Sequence, residues 1–577
     1  MSSTIADVLT ALVQEAATAA GHADAPVPLE PCVPTKEASH GDYQSNFAFR
    51  LGRALRTNPR AIAQALVDAL PANPVVRKAE VAGPGFINFH LDEAWLASNL
   101  ETRADAERFG TPQLGAGKTL VIDYSSPNVA KRMHIAHLRS TVIGGALHAL
   151  YAFLGWRVVA DNHIGDWGTP FGKLIVAWRG WRDDAAYAAD PLGELQRLYE
   201  SFKGRAAAEP ELNDQARAET AKLQSGDADN LALWRRFVAV SMAEFDTLYT
   251  RLGIEFDVVH GESFYADELG DLVDELVTKG IAEVEEDGAV VVRFDPSEGK
   301  GLGKSPMLIR KKDGAALYAT TDLATIRHRQ RTWSPDVICY VTDLRQKLHF
   351  RQVFAGAKRW GWGDTRFEHV PFGILRFPDG ALMSSRGGGV IRLAEVLDTA
   401  RDRALALVRS KSPNLPESEA NAVAEAVGVA AVRYFDLSQN PQSDITFDWE
   451  RSLALDGNTA PYLMYGYARC QSVLRRAGSF TPGGLRLDHS AERELAVSVS
   501  RTPELIMAAA SSWRPNLLCE HLYGMTQSFS RFWEQCPILK DDVSAEVRQS
   551  RLTLTHATAR ALEHGLGILG IQPVDRM

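Results

Sequence analysis

Two histidines and a lysine lie close together in the segment Ser125–Thr141, whose sequence is SSPNVAKRMHIAHLRST. His134 and His137 are three residues apart, so on a helix they would share one face of the first turn. The N-terminus of a helix presents free N–H groups and a partial positive charge, and both favour an anion. With the Lys131 ammonium nearby, the group suits a phosphate that gains charge in a transition state.

Spacing alone leaves two other interpretations of this segment open. The histidines could occupy the start of an ordinary helix without any chemical role. They could also form a metal-binding pair, although no third ligand lies close by in the sequence.

A second candidate loop, DGALMSSRGGG at 379–389, is rich in glycine and carries the hydroxyl groups of Ser384 and Ser385 beside Arg386. Such a loop can close over phosphates, and a plain surface turn is the alternative. The stretches GAGKT and GLGKS also look like phosphate-binding loops. That pattern requires a glycine five residues before its second glycine, where this chain has Pro112 and Glu298, so we exclude both.

The elements that must position the two candidate loops form two similar sets. In the first set TLVIDYS is a buried strand, LRSTVIGGALHALYAFLGW has a helical pattern, and RVVADNHI is a strand. The second set is PDVICYVTD, QKLHFRQVFAGAKRWG and FEHVPFGILRF. Strand, helix and strand at this spacing predict βαβ units with a parallel sheet. Each loop would follow the carboxyl end of a strand, where such sheets bind ligands.

These patterns predict an α/β protein with a split Rossmann-type catalytic domain, a small N-terminal α+β domain and a C-terminal all-α helix bundle. The predicted boundaries are 1–112 for the first domain, 113–418 for the catalytic domain with an insertion around 182–335, and 419–577 for the bundle. The polar, helix-rich 182–235 carries no recognisable chemistry.

The N-terminal domain is predicted from two helical patterns and one alternating strand. The helical patterns cover 4–20 and 59–70 and flank a loop, EASHGDYQSNFAF. Residues 86–91 alternate as a strand does, after a Gly-Pro-Gly turn.

Composition bounds the function class. The chain has 577 residues and a formal net charge of -9, which argues against bulk non-specific binding to nucleic acid but leaves room for a local basic face. Its five cysteines are scattered and form no Cys-x-x-Cys pair, so we expect no zinc site, no disulfide framework and a reducing cytoplasm. No signal peptide or membrane span is indicated.

The two candidate loops resemble the His-x-x-His and Lys-Met-Ser-Lys-Ser motifs of class I aminoacyl-tRNA synthetases. The surrounding sequence resembles arginyl-tRNA synthetases nearly end to end. The stretches that carry this resemblance are SSPNVAKRMHIAHLRST, NHIGDWGTPFG, GIEFDVVHGESFY, LYATTDLATIRHR, YVTDLRQKLHF, GNTAPYLMYGYAR, AGPGFINF and GLGILGIQPVDRM.

The resemblance implies an enzyme that activates L-arginine with ATP and Mg²⁺, then transfers the arginyl group to tRNA-Arg. Positioning and charge stabilisation would dominate its catalysis. The catalytic residues it implies are Lys131, His134 and His137. To these we add Arg386, which would assist the leaving pyrophosphate. Lys131 would take the role of the mobile-loop lysine, because Ser385 stands in that lysine's place. Those implied for ATP are His134, Ala136, His137, Met383, Ser384 and Ser385.

The resemblance also implies the sites for the other two substrates. Carboxylates suit a guanidinium, which they bind in a planar bidentate pair. The arginine site would comprise Asp322 and Glu262 for the guanidinium, Tyr318 beside them, and Asp123, Asn128 and Gln346 for the other end. The tRNA contacts would be Phe86, Asn88, Tyr462, Tyr465 and Arg469, and Tyr467 lies in the same motif. Aromatic residues at helical spacing are otherwise core residues.

The sequence departs from the family at a few positions, which keeps rival functions open. Ala136 replaces the usual glycine between the isoleucine and the second histidine, and we expect it to weaken ATP binding. Gly145 stands where an aspartate is common. A paralogue that charges a different acceptor is one alternative, and a non-catalytic tRNA-binding protein is the other. We expect a monomer without a structural metal.

Overall fold

The computed structural model describes residues 4–376 and 391–576. The helices in these residues are α1 (Ile5–Ala19), α2 (Phe47–Leu55), α3 (Pro59–Asp68), α4 (Glu93–Asp105), α5 (Ile135–Phe153), α6 (Thr169–Trp181), α7 (Asp184–Ala189), α8 (Pro191–Ala206), α9 (Glu211–Gln224), α10 (Ala228–Leu252), α11 (Leu269–Thr278), α12 (Tyr318–Trp333), α13 (Lys347–Arg359), α14 (Leu393–Lys411), α15 (Glu417–Leu437), α16 (Trp449–Ser452), α17 (Ala460–Ala477), α18 (Ser490–Ser500), α19 (Thr502–Ser512), α20 (Asn516–Gln535) and α21 (Ala545–Ile568). The strands are β1 (Val33–Pro34), β2 (Tyr43–Ser45), β3 (Val76–Ala82), β4 (Phe86–Leu91), β5 (Thr119–Asp123), β6 (Arg157–Asp161), β7 (Glu283–Val284), β8 (Val290–Val292), β9 (Met307–Arg310), β10 (Val337–Asp343), β11 (Arg366–Phe372), β12 (Leu375–Arg376) and β13 (Ile445–Thr446).

Internal packing divides the chain into two compact units. The first comprises Met1–Leu114, Val408–Ala426 and Ala454–Met577, and the second comprises Gly115–Leu407 and Val427–Leu453. The three domain boundaries drawn from the sequence stay a prediction.

The second unit is built on a parallel sheet in the order β11-β10-β5-β6. Strand β5 pairs with β6 of its own βαβ half and with β10 of the other half, where Tyr340 lies opposite Asp123. Leu120, Val121 and Ile122 of β5 are fully buried, as expected of a strand covered on both faces. The predicted split fold is confirmed. The β5–β10 junction is the switch point at which such sheets bind ligands.

Helix α5 is fixed to the rest of this unit by a buried ion pair. Arg139 Nε lies 3.0 Å from the Asp436 carboxylate, and its guanidinium also donates to the carbonyl oxygens of Gly373 and Ser443 at 2.7 and 2.9 Å. These bonds satisfy most of the N–H donors of a guanidinium that is only 1% exposed. The helix that begins at the predicted histidines is therefore rigidly placed over the sheet.

The segment between the two halves folds into the helices α6 to α12 and a three-stranded antiparallel sheet in the order β7-β8-β9. Helices α6, α8 and α9 pack together around Phe171, Leu195, Phe202 and Ala216. Helix α10 then returns toward the sheet, where its buried Ser241 contacts the loop after β5.

The first unit contains an antiparallel sheet in the order β1-β2-β4-β3. The prediction of a loop across residues 37–49 is wrong in part, because Tyr43–Ser45 forms a strand paired with β4 and α2 begins at Phe47. The strand is too short to show an alternation, whereas the buried Phe47, Ala48 and Leu51 do follow helical spacing, so the start of α2 could have been found. In the same unit Glu504 of α19 accepts the Tyr43 hydroxyl at 2.8 Å, which joins this sheet to the helix bundle.

Candidate active site

The loop after β5 adopts backbone conformations that its residue types rarely adopt. Ser125, Ser126 and Ala130 have φ values of 70°, 49° and 62°, in the left-handed region that favours glycine. Side chains from other elements hold the loop there. Ser140 Oγ accepts the Ser125 N–H and Ser241 Oγ accepts the Ala130 N–H, both at 2.9 Å. Strain of this kind persists where surrounding structure fixes it, and it often marks functional loops.

The two histidines cap the helix that follows this loop. His134 is the N-cap of α5 and its Nδ1 accepts the Ala136 N–H, while His137 Nδ1 accepts the His134 N–H at 3.1 Å. A neutral imidazole whose Nδ1 accepts a hydrogen bond carries its proton on Nε2. Both rings, with centroids 4.0 Å apart, therefore keep an Nε2–H donor for a ligand.

Both histidines are neutral at neutral pH. Burial, together with the neighbouring His134 ring and Lys131 ammonium, lowers the pKa of His137 to about 3, although the hydrogen bond with the His134 backbone opposes the shift. Burial and the Lys131 ammonium also lower the pKa of His134. The rings can thus donate hydrogen bonds to an anion without carrying a charge of their own.

Lys131 is half-buried and faces an aromatic ring. Its Nζ lies 4.8 Å from the ring centre of Tyr199 on α8, within the range of a cation–π contact. Burial and the Lys203 ammonium lower the pKa of Lys131. We refer to Lys131, His134 and His137 as the basic cluster.

A cavity of about 680 Å³ lies beside this loop. It brings together four of the residues predicted for the site, which are Asn128, Lys131, Glu262 and Tyr318. A volume of several hundred Å³ with few convergent polar groups is typical of a small-molecule site.

Three carboxylates form an acidic cluster, defined here as Asp166, Glu262 and Asp322. Burial raises the pKa of Glu262 to about 7; His163 opposes this rise, and the Asp166 and Asp322 carboxylates add to it. Asp166 accepts both the N–H and the hydroxyl of Ser263, at 2.9 and 2.6 Å, while burial raises its pKa. Such an arrangement favours a cation, whose charge would relieve the repulsion among the three groups.

Asp322 lies in the second turn of α12 and accepts a hydrogen bond from His349 Nε2. Burial lowers the pKa of His349, but the hydrogen bond and charge of Asp322 outweigh it, and the net pKa is raised. Tyr318, four residues before Asp322 on the same helical face, is 74% exposed. Gln346 is exposed at the start of α13.

Asp123 and Asn128 occupy different environments at the strand end. Asp123 is 4% exposed, with one carboxylate oxygen 2.6 Å from Arg329 Nη2 and the other 3.0 Å from the Ser126 hydroxyl. Asn128 is exposed and packs against Gly165, where a Cβ would lie 2.3 Å from its Oδ1. The arginine-binding roles of both residues stay predictions.

Met383, Ser384, Ser385 and Arg386 lie outside the described residues. The described chain resumes at Ile391, whose carbonyl oxygen accepts the Ile135 N–H at 3.1 Å. Leu393 N–H in turn donates to the Met133 carbonyl at 3.0 Å. The chain that follows the glycine-rich loop is thus bonded to the backbone on both sides of His134.

Within the described ranges, 4–376 and 391–576, three or more His, Cys, Asp or Glu side chains nowhere converge as a metal site would require. In the same ranges, none of the helices has the length and apolar content needed to cross a membrane.

The predicted tRNA-contacting residues belong to the first unit. On the bundle, the Arg469 guanidinium lies 4.7 Å from the ring centre of the exposed Tyr465 and 5.6 Å from that of Trp533 on α20. Tyr462 is half-buried against Tyr523, and Tyr467 is buried in the bundle core. We refer to Tyr465, Arg469 and Trp533 as the aromatic–arginine patch.

In the N-terminal sheet, Phe86 and Asn88 occupy unequal positions. The half-buried Phe86 stacks on Phe49, with ring centroids 5.7 Å apart. Asn88 is 3% exposed and lies between Gln44 and Glu80 in the sheet register. Their contacts with tRNA stay predictions.

Sequence reasoning missed several residues that the structure places in the candidate active site or in the aromatic–arginine patch. Asp166 and His349 lie inside motifs that carried the resemblance, so their side-chain chemistry could have been found. Tyr199 and Trp533 could not, because each is far along the chain from the lysine or arginine that it contacts.

Three family models match the chain. They are described as tRNA synthetases class I (R), catalytic domain, over residues 102–449, DALR anticodon binding domain, over 463–577, and Arginyl tRNA synthetase N terminal domain, over 3–91. The arginine–tRNA ligase of Fusobacterium nucleatum is 44% identical over 95% of each chain. That of Azotobacter vinelandii is 40% identical over 99% of this chain and 100% of its own.

Solved structures show the same fold. The arginyl-tRNA synthetase of Plasmodium falciparum superposes with a TM-score of 0.84 at 25% identity over 100% of both chains. The Thermus thermophilus arginyl-tRNA synthetase gives 0.84 at 23% identity over 99% of this chain and 100% of its own, a likeness of fold.

Proposed function

The chain belongs to the arginyl-tRNA synthetase family, and from that premise we propose how its site joins L-arginine to tRNA-Arg. It is an arginine–tRNA ligase that uses ATP. In the first step an arginine carboxylate oxygen attacks the α-phosphorus of ATP, the bond to the β-phosphate oxygen breaks, and pyrophosphate leaves. In the second, a ribose hydroxyl at the tRNA 3′ end attacks the arginyl carbonyl carbon and AMP leaves.

One observation supports this function most directly: the cavity beside the β5 loop holds Lys131 together with Glu262 and Tyr318. One substrate is a polyphosphate and the other carries a guanidinium. A site for both needs cationic or N–H donors near carboxylates without the two pairing to each other. Here Lys131 faces an aromatic ring and Glu262 faces other carboxylates.

The basic cluster is proposed to bind the ATP phosphates. The Nε2–H groups of His134 and His137 would donate to phosphate oxygens, at a helix N-terminus that itself favours anions. Lys131 would stabilise the charge that develops on the α-phosphate. ATP would enter as its Mg²⁺ complex. Arg386 would assist the leaving pyrophosphate, with Met383, Ser384 and Ser385 beside the nucleotide.

The acidic cluster is proposed to bind the arginine side chain. Asp322 and Glu262 would pair with the guanidinium, and the exposed Tyr318 ring would pack against it. Asn128 and Gln346 would hold the α-amino and carboxylate groups. Asp123, which is buried in an ion pair with Arg329, would help to bind the same end of arginine, chiefly by holding the strand-end loop in place.

The aromatic–arginine patch is proposed to bind unpaired tRNA bases. Exposed rings and a guanidinium offer stacking faces to single-stranded bases. Trp533 joins Tyr465 and Arg469 in this role, with Tyr462 behind them. Phe86 and Asn88 would contact the tRNA from the N-terminal sheet.

Arginine-dependent pyrophosphate exchange, measured with and without tRNA-Arg and followed by charging, tests the function. We expect exchange that requires tRNA, and charging of tRNA-Arg. Exchange without charging would instead favour a paralogue with another acceptor. Absence of exchange under every condition would favour a non-catalytic tRNA-binding protein.

We propose that the enzyme acts in the cytoplasm as a monomer. Light scattering on the purified full chain, with and without tRNA-Arg, checks the oligomeric state. Without tRNA a mass matching one copy of the 63.3 kDa chain is expected, and with tRNA the mass of one chain plus one tRNA; two copies of the chain in either case would contradict the proposal.

A further inference from the structure

Helix α8, in the segment that showed no recognisable chemistry in the sequence, contributes to the cavity. Tyr199 of α8 lines it beside Lys131. The Nζ atoms of Lys131 and Lys203 each lie 4.8 Å from the centre of the Tyr199 ring. One aromatic ring thus contacts two ammonium groups, one from the β5 loop and one from its own helix.

The ring stabilises the Lys131 ammonium without neutralising it. Within the described residues, no Asp or Glu oxygen lies within 4.0 Å of Lys131 Nζ, whereas Lys78, Lys222 and Lys279 do pair with glutamates. A carboxylate would compete with phosphate for this cation, whereas a ring face is a weaker partner that an anion displaces readily. The second ammonium, on Lys203, repels Lys131, and a bound anion would relieve that repulsion.

We propose that Tyr199 is a positioning residue for arginine activation: its ring holds the Lys131 ammonium in the cavity until the ATP phosphates bind it. This proposal rests on the function proposed above. The ring face is what acts, so the Tyr199 hydroxyl is dispensable. The Lys203 ammonium makes the surroundings of the Tyr199 ring electropositive, which favours movement of the Lys131 ammonium from the ring to the phosphate. The other ionisable groups beside Lys131 or along the cavity are His134, Glu262, Asp267, Arg310, Lys311 and Tyr318.

A double-mutant cycle on tRNA-dependent pyrophosphate exchange tests this role. Tyr199→Phe keeps the ring and should retain the wild-type rate. Tyr199→Leu keeps an apolar side chain without the ring, and should lower kcat about three- to thirty-fold with the arginine KM unchanged. In the Lys131→Ala background Tyr199→Leu should cost nothing more, since the residue it positions is absent. An equal loss in both backgrounds would mean that Tyr199 only packs the helices, and would overturn the proposal.

A second measurement does not depend on substituting Tyr199, which also packs against the α6–α10 core. Lys203 is exposed, so Lys203→Gln should fold normally. Removing its charge should raise the Lys131 pKa and move the alkaline limb of the exchange rate to higher pH. A limb that does not move would contradict the proposal. Absence of exchange in the wild-type chain would overturn the proposed function as well, so the two failures are distinguishable.

Discussion

The acidic cluster and the basic cluster are built from groups of opposite charge type, yet burial shifts the pKa of members of both toward the neutral form. Burial raises the pKa of Asp166 and Glu262 and lowers that of Lys131, His134 and His137. Each cluster therefore favours a substrate of the opposite charge, because the bound substrate offsets the unfavourable effect of burial on these groups.

The two clusters differ in how far the shift goes. Glu262, with a pKa of about 7, is close to ionisation at neutral pH and would lose its proton when a guanidinium arrives. His137, with a pKa of about 3, stays neutral and can act only as an N–H donor. The acidic cluster should therefore control arginine affinity in a pH-dependent way, and the basic cluster should control the rate of activation.

Substitution of the cation in the basic cluster should have the largest effect. Lys131→Ala should lower the rate of arginine activation about 100-fold or more, as removal of a charge-stabilising donor does elsewhere. The arginine KM should stay nearly unchanged, because Lys131 acts on the phosphate. Pyrophosphate-exchange kinetics at varied arginine concentration give both the activation rate and the arginine KM. Lys173→Ala removes another ring-facing lysine and serves as the control. A main effect on the arginine KM would show that Lys131 belongs with the acidic cluster.

The matching change in the acidic cluster should act on binding instead. Asp322→Asn should raise the arginine KM on the order of 100-fold, because it leaves the guanidinium without a charged partner. The ATP KM should stay unchanged. Steady-state exchange at varied arginine and ATP concentrations measures both. Asp364→Asn, at an exposed carboxylate of the same unit, is the matched control. Equal losses for ATP and arginine would mean that the clusters do not divide the work.

The pH dependence of arginine use distinguishes the clusters further. Below its pKa of about 7 Glu262 is protonated and loses its attraction for a guanidinium, while His349, whose pKa is raised, competes for Asp322 as a cation. Therefore kcat/KM for arginine should rise about tenfold between pH 6 and pH 8. Glu262→Gln should flatten this rise. A wild-type profile without a slope in this range would argue against the assignment of Glu262.

The aromatic–arginine patch should be separable from both clusters. Trp533→Ala should raise the tRNA KM about tenfold, the usual cost of one lost stacking contact. Trp533→Phe should recover most of that loss. Aminoacylation at varied tRNA concentration measures the effect, and a change in arginine KM of similar size would contradict a base-stacking role.

Ala136 should have the smallest effect. Its methyl group is exposed in the first turn of α5, beside the histidines. Ala136→Gly should lower the ATP KM about two- to threefold by allowing closer approach, and should cost about 0.5–1 kcal/mol of unfolding free energy. Exchange kinetics and thermal unfolding give the two values. An unchanged ATP KM would mean that the methyl group does not crowd the nucleotide.

The sequence predicted the parallel sheet and the helix after it, because buried strand runs such as residues 119–123 alternate with long helical patterns. It failed at residues 43–55. The strand there has three residues, too few to show an alternation, and the helical spacing of Phe47, Ala48 and Leu51 begins inside a segment predicted as a loop. The protonation states in the site depend on where each side chain lies in the folded chain. The sequence identified His134 and His137 as donors, but their neutral state follows from burial, which only the folded chain defines.

Proton release on arginine binding tests the central claim most directly. Calorimetry near pH 7 in buffers of different ionisation enthalpy counts the protons that arginine displaces from the free enzyme. We expect a net release of protons, because Glu262 ionises and because His349 loses its proton when the guanidinium replaces it as the partner of Asp322. The Glu262→Gln variant should release fewer protons. A binding enthalpy that is the same in every buffer would show that the acidic cluster is already charged before arginine arrives, and would contradict the account.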